Sequence, residues 1–487
     1  MADYAVIAGY VIGMIGIGWY GLRLARTRSD YLVAGRRLGW FLYSGTMSAV
    51  VLGGASTVGG VALGYTHGIS GAWLVLTIGL GILILHALFA RRLVRLRLYT
   101  VSELLDLRYG GATSIASGGV MWLYTLMITV TSMLAFGTIF TVLFDLPGLV
   151  GILIGGGIVV LYSVLGGMWS ITLTDIAQFV ITTVGFFAIL LPAAVISAGG
   201  FDGMRAKLDA SYFSFTSIGG GTIVTYILIY GFGLLIGQDI WQRVFTARSP
   251  RVATYGGIGS GLYCVVYAIA GALIGTATKV MYPDLAVADN AFATVTEGLL
   301  PPGVRGLVLA AALAALMSTA SGALIACSAV SSTDILSRFR RFSRAGTHDG
   351  EASTNRVITL VIGLLAIGIA TVVTDVVAAL TVAYNILVGG LLVAILGALL
   401  WRRGTLLGAV AGMAVGSVVV VVSMITHGML ANEPIYYGLG ASLVAYVVVS
   451  LLTPRTPETV LAEWDRRLRG EGEGEPSGAT ESLTATR

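Results

Sequence analysis

The stretch Met47-Ser48-Ala49-Val50-Val51-Leu52-Gly53-Gly54 lies at the centre of an apolar run from residue 39 to residue 65. A run of this length can cross the roughly 30 Å hydrocarbon core of a bilayer as a helix. The glycine pair at its midpoint predicts that this helix is broken there. A break at this depth exposes backbone carbonyls and helix ends to ions and small solutes.

Working outward from this stretch, apolar runs of similar length recur along the whole chain. Of its 487 residues, 56% are hydrophobic and only 11% are charged, which predicts an all-α integral membrane protein. About thirteen transmembrane helices are expected, at residues 4–24, 39–65, 71–90, 113–144, 148–165, 174–198, 218–245, 253–281, 304–333, 357–373, 376–401, 407–425 and 435–452.

A second group of glycines, Gly231, Gly233 and Gly237, lies in the middle of the seventh segment. It follows the first group by five segments, which predicts that segments two to six and seven to eleven form an inverted repeat with broken first helices. The expected organisation is a peripheral region at 1–38, a transport core at 39–402 (repeats 39–198 and 218–402), two peripheral helices within 403–453, and a disordered cytoplasmic tail at 454–487.

Basic residues are distributed unevenly between alternate loops, with 25 on one side and 4 on the other. Because positive loops remain in the cytoplasm, thirteen crossings place the N-terminus outside and the C-terminus inside the cell. The first segment has no basic leader or small-residue cleavage site, so it is expected to be retained. We therefore expect a multi-pass protein of the inner (plasma) membrane whose basic groups face lipid headgroups and not nucleic acid.

The sequence offers little for catalysis. No His-Glu-x-x-His motif or paired carboxylate occurs within the helices, and Cys264 and Cys327 both fall in apolar segments. We expect no enzyme activity and no obligate protein partner. Asp239 lies four residues from Arg243, a spacing that predicts an ion pair within one helix.

Two groups of polar residues inside the apolar segments could bind a cation. Asp175 and Gln178 lie one helical turn apart, although a carboxylate at this position could equally stabilise a helix start. The ninth segment carries Ser318, Thr319 and Ser321. Such hydroxyls are suitable sodium ligands but can also bond their own backbone.

At this point four stretches together resemble the sodium/solute symporter family, which includes sodium/proline, sodium/galactose and sialic acid transporters. The resemblance covers all thirteen segments. The four stretches are Met47 to Gly54, Gly166-Gly167-Met168 through Thr174-Asp175-Ile176-Ala177-Gln178, Leu313 to Ser321, and Trp401-Arg402-Arg403-Gly404 through Gly408-Ala409-Val410-Ala411-Gly412.

The resemblance implies a LeuT-type core of five plus five helices, with discontinuous first and sixth core helices. It also implies sodium-coupled symport of a small organic solute by alternating access. The implied sodium ligands are the carbonyls of Ala49, Leu52 and Ala315 and the hydroxyls of Ser318 and Thr319.

Some family members hold a second sodium at the positions of Asp175 and Ser321, either as a binding or a release site. Here Gly322 stands where those members carry another hydroxyl, so one sodium per solute is expected. Ser56 matches a position that contacts solute in relatives. The acid and aromatic that proline transporters carry in the first broken helix are replaced by Val51 and Ala55.

Three further solute candidates, Tyr230, Gln238 and Asn385, follow from their polarity and depth. An apolar site between two helix ends favours an amino acid or small carboxylate as the solute. The alternatives are a sodium-coupled sugar or polyol symporter and, more remotely, a channel or a transporter-derived sensor.

Overall fold

The computed structural model describes residues 1–144, 146–338, 348–373 and 376–471. Within these ranges all regular structure is helical, apart from one isolated bridge between Leu38 and Ala247. Helices satisfy every backbone polar group internally, as hydrocarbon surroundings require. The basic loop around Arg341 and the final tail residues, 472–487, lie outside the described residues.

The first half of the chain carries eleven α-helices, and a π-helical turn follows α5 at Leu85–Phe89. Their bounds are α1 Ala2–Leu22, α2 Arg28–Val33, α3 Trp40–Val51, α4 Gly54–His67, α5 Trp73–Ile84, α6 Ala90–Leu96, α7 Val101–Tyr109, α8 Gly111–Phe144, α9 Gly148–Thr183, α10 Leu191–Ser197 and α11 Gly200–Lys207.

The second half begins with a helix interrupted twice, first by a π-helical turn at Ile227–Gly231 and then by a break at Gly237. The bounds are α12 Gly220–Tyr226, α13 Phe232–Ile236, α14 Gln238–Val244, α15 Pro250–Met281, α16 Ala291–Leu299, α17 Val304–Val330, α18 His348–Ala370, α19 Val376–Leu400, α20 Leu406–His427, α21 Glu433–Leu452 and α22 Glu458–Arg469.

Ten helical stretches within the described residues are long and apolar enough to cross a membrane. The pair Gly220–Ile236 and Gln238–Val244, bent by 43°, makes eleven if it is one span. One stretch, Gly148–Ser197, has 50 residues, which as a single straight helix would be more than twice the thickness of the hydrocarbon core. It turns at Gly167, whose φ of 53° is strained for other residues. The exact number of thirteen segments stays a prediction.

Helix α17 lies at the centre of the molecule, and nearly every residue from Gly306 to Val330 is buried. It packs against α1, α3, α8 and α9, while α15 packs against α3, α4 and α5. Long burial of this kind favours small residues, and α17 is rich in alanine. The broken helix α3–α4 is thus held between α15 and α17.

The tail differs from the expected disorder at 454–487. Helix α22 occupies Glu458–Arg469 and buries Leu461 and Trp464, and it packs against α6 and α7. These two residues lie three apart on one face of an otherwise polar helix, so a short amphipathic helix forms where composition alone indicated a solvated chain.

Candidate functional site

The first helix break separates α3 from α4. Leu52 has a non-helical backbone (φ −101°, ψ 52°) and Gly53 is extended (ψ −166°). Carbonyl groups at the end of a helix lack the amide partners that they would have in its interior. Here the side chain of Ser56 donates a hydrogen bond to the carbonyl of Val51 at 3.1 Å. The break therefore presents backbone oxygens and hydroxyls to one another at the protein's centre.

Two hydroxyls of α17 face this break. The Ser318 Oγ lies 2.9 Å from the carbonyl oxygen of Ala49 and 3.0 Å from that of Ala315. The Thr319 Oγ1 donates to the carbonyl of Val50 at 2.8 Å. Both side chains thus join α17 to the end of α3. Because a hydroxyl oxygen also has lone pairs, Ser318 and the two carbonyls beside it form a set of oxygens suitable for a hard cation.

A small cavity lies at this junction, with a volume of about 10 Å³, close to the minimum that holds one water-sized particle. Four of the five predicted sodium residues line it, and none of its described lining residues carries a formal charge. The lining residues are Ser48, Ala49, Leu52, Gln178, Phe179, Thr182, Tyr263, Ala315 and Ser318. Thr319, the fifth predicted ligand, lines the neighbouring larger cavity instead.

The larger cavity, of about 70 Å³, lies between the two helix breaks and is lined mainly by apolar groups. Its walls come from α3, α4, α5, α8, the interrupted helix α12–α14, α17 and α19. The lining residues are Val50, Val51, Gly53, Gly54, Ala55, Ser56, Leu74, Ile78, Ile128, Thr131, Ser132, Ala135, Tyr230, Leu234, Asp239, Leu316, Thr319, Leu380 and Tyr384. A largely apolar cavity with a few polar groups is typical of a small-molecule site.

The four predicted solute residues divide between inside and outside this cavity. Ser56 and Tyr230 line it. Gln238 does not, because its amide accepts from the Val101 N–H at 2.7 Å and donates to the Tyr99 carbonyl at 3.0 Å. Asn385 is fully buried outside both cavities, and its amide nitrogen and oxygen have no hydrogen-bond partner among the described residues.

Asp175 is not at a helix start. It lies inside α9, eight residues beyond the turn at Gly167, and forms a fully buried ion pair with Arg243 at 3.0 Å. Thr46 also donates to the Asp175 carboxylate. Arg243 therefore pairs with Asp175 and not, as its spacing suggested, with the carboxylate of Asp239; it reaches only the Asp239 backbone carbonyl, at 3.3 Å.

Ser321 and Gly322 lie close to this ion pair. The Ser321 hydroxyl donates to the Ser318 carbonyl at 3.1 Å. A Cβ atom at position 322 would lie 2.8 Å from Nη2 of Arg243, so the guanidinium group occupies the space that a larger side chain would need. A larger residue at this position would have to displace the Arg243 guanidinium and the Val50 side chain, whose Cγ2 would lie 2.7 Å from the same Cβ atom.

Sequence reasoning did not identify Asp239 and Tyr384 as cavity residues. Asp239 follows the break directly, at Gly237-Gln238-Asp239, and its position at the first turn of α14 was a usable signal. Its carboxylate accepts a hydrogen bond from the Tyr124 hydroxyl at 3.0 Å. Tyr384 carries no local signal, because only the fold brings α19 beside the interrupted helix.

The geometry described above has counterparts among known proteins. Residues 31–416 match the family model described as the sodium:solute symporter family. The osmoregulated proline transporter OpuE of Bacillus subtilis is 27% identical over 476 residues, covering 92% of this chain and 94% of the relative. The sodium/proline symporter of Escherichia coli is 28% identical over 468 residues, covering 91% of each chain.

Among solved structures, a Na⁺-coupled sialic acid symporter in its substrate-bound outward-open state has the same fold. The TM-score is 0.81 at 17% identity, over 94% of this chain and 98% of the other. Mhp1, a nucleobase-cation-symport-1 family transporter, matches with a TM-score of 0.52 over 92% of this chain and 99% of the other. The LeuT-type fold expected from the sequence is confirmed.

The family model covers most of the chain, and the two broken helices and the oxygen-lined junction lie within the matched residues. The protein is therefore a multi-pass membrane transporter that couples sodium to the symport of a small solute, and the chain belongs to the sodium:solute symporter family.

Proposed function

We propose that this symporter carries an amino acid or small carboxylate with one sodium ion, and that the ion binds at the junction of α3, α4 and α17. The observation that carries the proposal is the small cavity lined by Ala49, Leu52, Ala315 and Ser318, directly beside the larger one. In the proposed site the carbonyls of these first three residues and the hydroxyls of Ser318 and Thr319 bind sodium.

The location of the site suggests how the ion and solute are coupled. Sodium at this junction would bind α17 and the end of α3 at once, and so favour one arrangement of the broken helix. Ser56, on α4, would then hold its place in the solute cavity. Because linkage is reciprocal, solute binding in turn strengthens sodium binding.

A single sodium per solute is supported by the surroundings of Asp175. Its carboxylate already has a buried guanidinium partner, Arg243, and Gly322 provides no hydroxyl. One oxygen of Asp175, Oδ1, has no hydrogen-bond partner among the described residues. We therefore keep Asp175 and Ser321 as a proposed release site for the departing ion, and not as a second stable site.

The names of the similar proteins support an amino acid as the solute. Two of them are named as proline transporters. Val51 and Ala55 line the cavity, and the family resemblance places them at the positions where proline transporters carry an acid and an aromatic. We therefore propose a compact amino acid without assigning it to proline.

The sodium site is tested by Ser318→Ala and Thr319→Ala in proteoliposomes. Each change removes one of about five ligands, so the half-saturating sodium concentration is expected to rise roughly tenfold or more. Solute affinity at fixed sodium should fall with it. Ser328→Ala is the matched control, because Ser328 lies on the same helix and is as buried as Ser318.

An unchanged half-saturating sodium concentration in both variants would contradict the site. An equal rise in Ser328→Ala would show that the assay measures helix packing and not ion coordination. The expected result separates these cases, since only Ser318 and Thr319 face the break.

We further propose that the protein lies in the inner (plasma) membrane with its N-terminus outside, with a core at 39–402. The predicted cytoplasmic loops contact one another, which supports their location on the same side of the membrane. Arg36 donates to the Arg97 carbonyl at 2.7 Å, and Arg108 donates to the Arg402 carbonyl at 3.0 Å.

Impermeant thiol labelling of intact cells tests this orientation. Lys207→Cys, on the exposed helix α11, is expected to be labelled, and Arg455→Cys in the tail is expected to be protected until the cells are permeabilised. The two native cysteines are buried, so the background should be low. The reverse pattern would overturn the orientation.

A further inference from the structure

The larger cavity has a single charged residue in its wall. Among the described residues that line it, only Asp239 carries a formal charge. The side chain is buried, with 5% of the residue exposed, and one carboxylate oxygen accepts from the Tyr124 hydroxyl at 3.0 Å. A Cβ atom at Gly237 would lie 2.9 Å from that oxygen, so the break leaves room for the carboxylate beside the cavity.

The charges around Asp239 do not balance. Arg243 is the buried cation nearest in sequence, and its guanidinium donates to the carboxylate of Asp175. To Asp239 it donates only at the backbone carbonyl. One cation thus lies beside two buried carboxylates, and Asp239 has no salt bridge among the described residues. With both carboxylates ionised, one negative charge at the edge of the cavity is left to be balanced by a positive partner.

Two tyrosine rings also belong to the wall of this cavity. Tyr230 and Tyr384 both line it, with ring centroids 5.4 Å apart in an edge-to-face arrangement. Tyr124, which bonds Asp239, packs against Tyr384 with centroids 5.3 Å apart. The negative faces of aromatic rings attract ammonium groups, and rings combined with a carboxylate are a common way to bind a cationic nitrogen.

The remaining polar groups are poorly suited to a sugar. All four serine and threonine hydroxyls that line the cavity already donate to backbone carbonyls of the protein. These residues are Ser56, Thr131, Ser132 and Thr319. A polyhydroxylated solute needs several free donors and acceptors around it, since unpaired buried hydroxyls are costly.

We propose that the solute carries a positively charged nitrogen, and that Asp239 binds this nitrogen with Tyr230 and Tyr384 around it. This inference rests on the proposed function, and it narrows the solute class to zwitterionic amino acids and compact ammonium compounds. Small carboxylates without an amine, sugars and polyols are excluded. Tyr124 acts as a positioning residue, because it touches the carboxylate but does not line the cavity.

Matched pairs of solutes test the charge requirement. L-proline, L-alanine, glycine betaine and choline are compared with cation-free partners of similar shape: N-acetyl-L-proline, propionate, 3,3-dimethylbutyrate and 3,3-dimethylbutanol. D-galactose serves as the sugar. Sodium-driven uptake of each radiolabelled solute into proteoliposomes is measured, because symport of an anionic solute with one sodium moves no net charge and gives no current. Uptake is expected for one or more members with a cationic nitrogen, and for none of the cation-free compounds.

Variants then locate the charge partner. Asp239→Asn is expected to raise the half-saturating concentration of the active solute about tenfold to a hundredfold, because a charge-assisted contact is lost. For Asp239→Glu, the half-saturating solute concentration should lie between that of Asp239→Asn and that of the unaltered protein. Tyr384→Leu should raise it about threefold to tenfold. Asp30→Asn and Tyr446→Leu, in the α2 cap and in α21, are the matched controls.

The outcomes separate this inference from the sodium site. Stabilisation of the protein by sodium over potassium, measured by thermal unfolding without solute, should persist in Asp239→Asn. Sodium-driven uptake of D-galactose or of any cation-free partner overturns the inference. So does an unchanged half-saturating solute concentration in Asp239→Asn, or no uptake of any solute while sodium still stabilises the protein. If sodium does not stabilise the unaltered protein more than potassium does, the proposed sodium site is contradicted instead.

Discussion

At Leu52–Gly53 the chain frees backbone oxygens and surrounds them with neutral hydroxyls, whereas at Gly237 it places charged side chains on a seven-residue helix. The first break bonds to α17, through Ser318 and Thr319. The side chains that follow the second break bond to two different helices, since Arg243 bonds Asp175 of α9 and Asp239 bonds Tyr124 of α8.

Under the function proposed above, this difference separates two tasks within one architecture. Neutral oxygens bind a cation without a fixed counter-charge, so the ion can leave again. Fixed charges instead hold helices together and select the charge of what enters the cavity. Variants at each break should therefore fail in different ways.

The largest expected effect is on stability at the second break. Arg243→Gln leaves the carboxylates of Asp175 and Asp239 buried without their shared cation, and should lower the free energy of unfolding by about 3–5 kcal/mol. Adding Asp175→Asn should recover a large part of this loss. Thr319→Val at the first break removes one neutral hydrogen bond and should cost only about 1 kcal/mol.

Denaturant unfolding in a defined detergent measures these values. If Thr319→Val were as destabilising as Arg243→Gln, the difference in chemistry between the two breaks would have no measurable effect on stability. Failure of the double variant to recover stability would show that Arg243 acts through packing and not through its charge.

The next effect concerns space at each break. A Cβ atom at Gly53 would lie 2.4 Å from the Thr319 Oγ1, so Gly53→Ala should push α17 away from the first break. At Gly237 the nearest atoms, 2.9 Å and 3.0 Å away, are the ends of Asp239 and Tyr124, which can move. Overpacking costs about 1–3 kcal/mol.

We therefore expect Gly53→Ala to raise the half-saturating sodium concentration roughly tenfold. Gly237→Ala should instead weaken solute binding, with little change in sodium affinity. Gly59→Ala, with no neighbouring atom within 4 Å, is the control and should leave both unchanged. Equal sodium effects at Gly53 and Gly237 would contradict a division between ion and solute.

The smallest effect is expected at Ser56, which lies between the ion junction and the solute cavity. Ser56→Ala removes its hydrogen bond to Val51, worth about 0.5–1.5 kcal/mol, and should raise the half-saturating solute concentration a few-fold. Thr66→Val removes a similar bond further along α4 and is the control. If the half-saturating sodium concentration changed more than the half-saturating solute concentration, Ser56 would belong to the ion site.

The two breaks could be predicted from the sequence because glycine marks them locally, and the hydroxyls of α17 could be predicted because they stand together in a run of alanines. The ion pair between Asp175 and Arg243 could not, since 68 residues separate the partners and Arg243 has a nearer acid at helical spacing. The contact between Asp239 and Tyr124 spans 115 residues and leaves no trace in local pattern.

Helix bounds and the tail show a further limit of sequence reasoning. Asp175 was predicted at a helix start because the apolar segment begins at residue 174 in the sequence, whereas the helix resumes directly after the kink at Gly167 and Asp175 lies eight residues beyond it. Helix α22 was missed because its two buried residues, Leu461 and Trp464, form too narrow an apolar face for a composition-based reading. In both cases tertiary packing decides what local polarity cannot.

The side chain of Gln238 follows the second break directly, and its two hydrogen bonds hold the turn at residues 99–101 that begins α7. Any movement of α14 must therefore carry α7 with it or break both bonds. With the bonds intact the two helices move as one unit, and the packing of α7 against α8 and α19 limits how far that unit can travel.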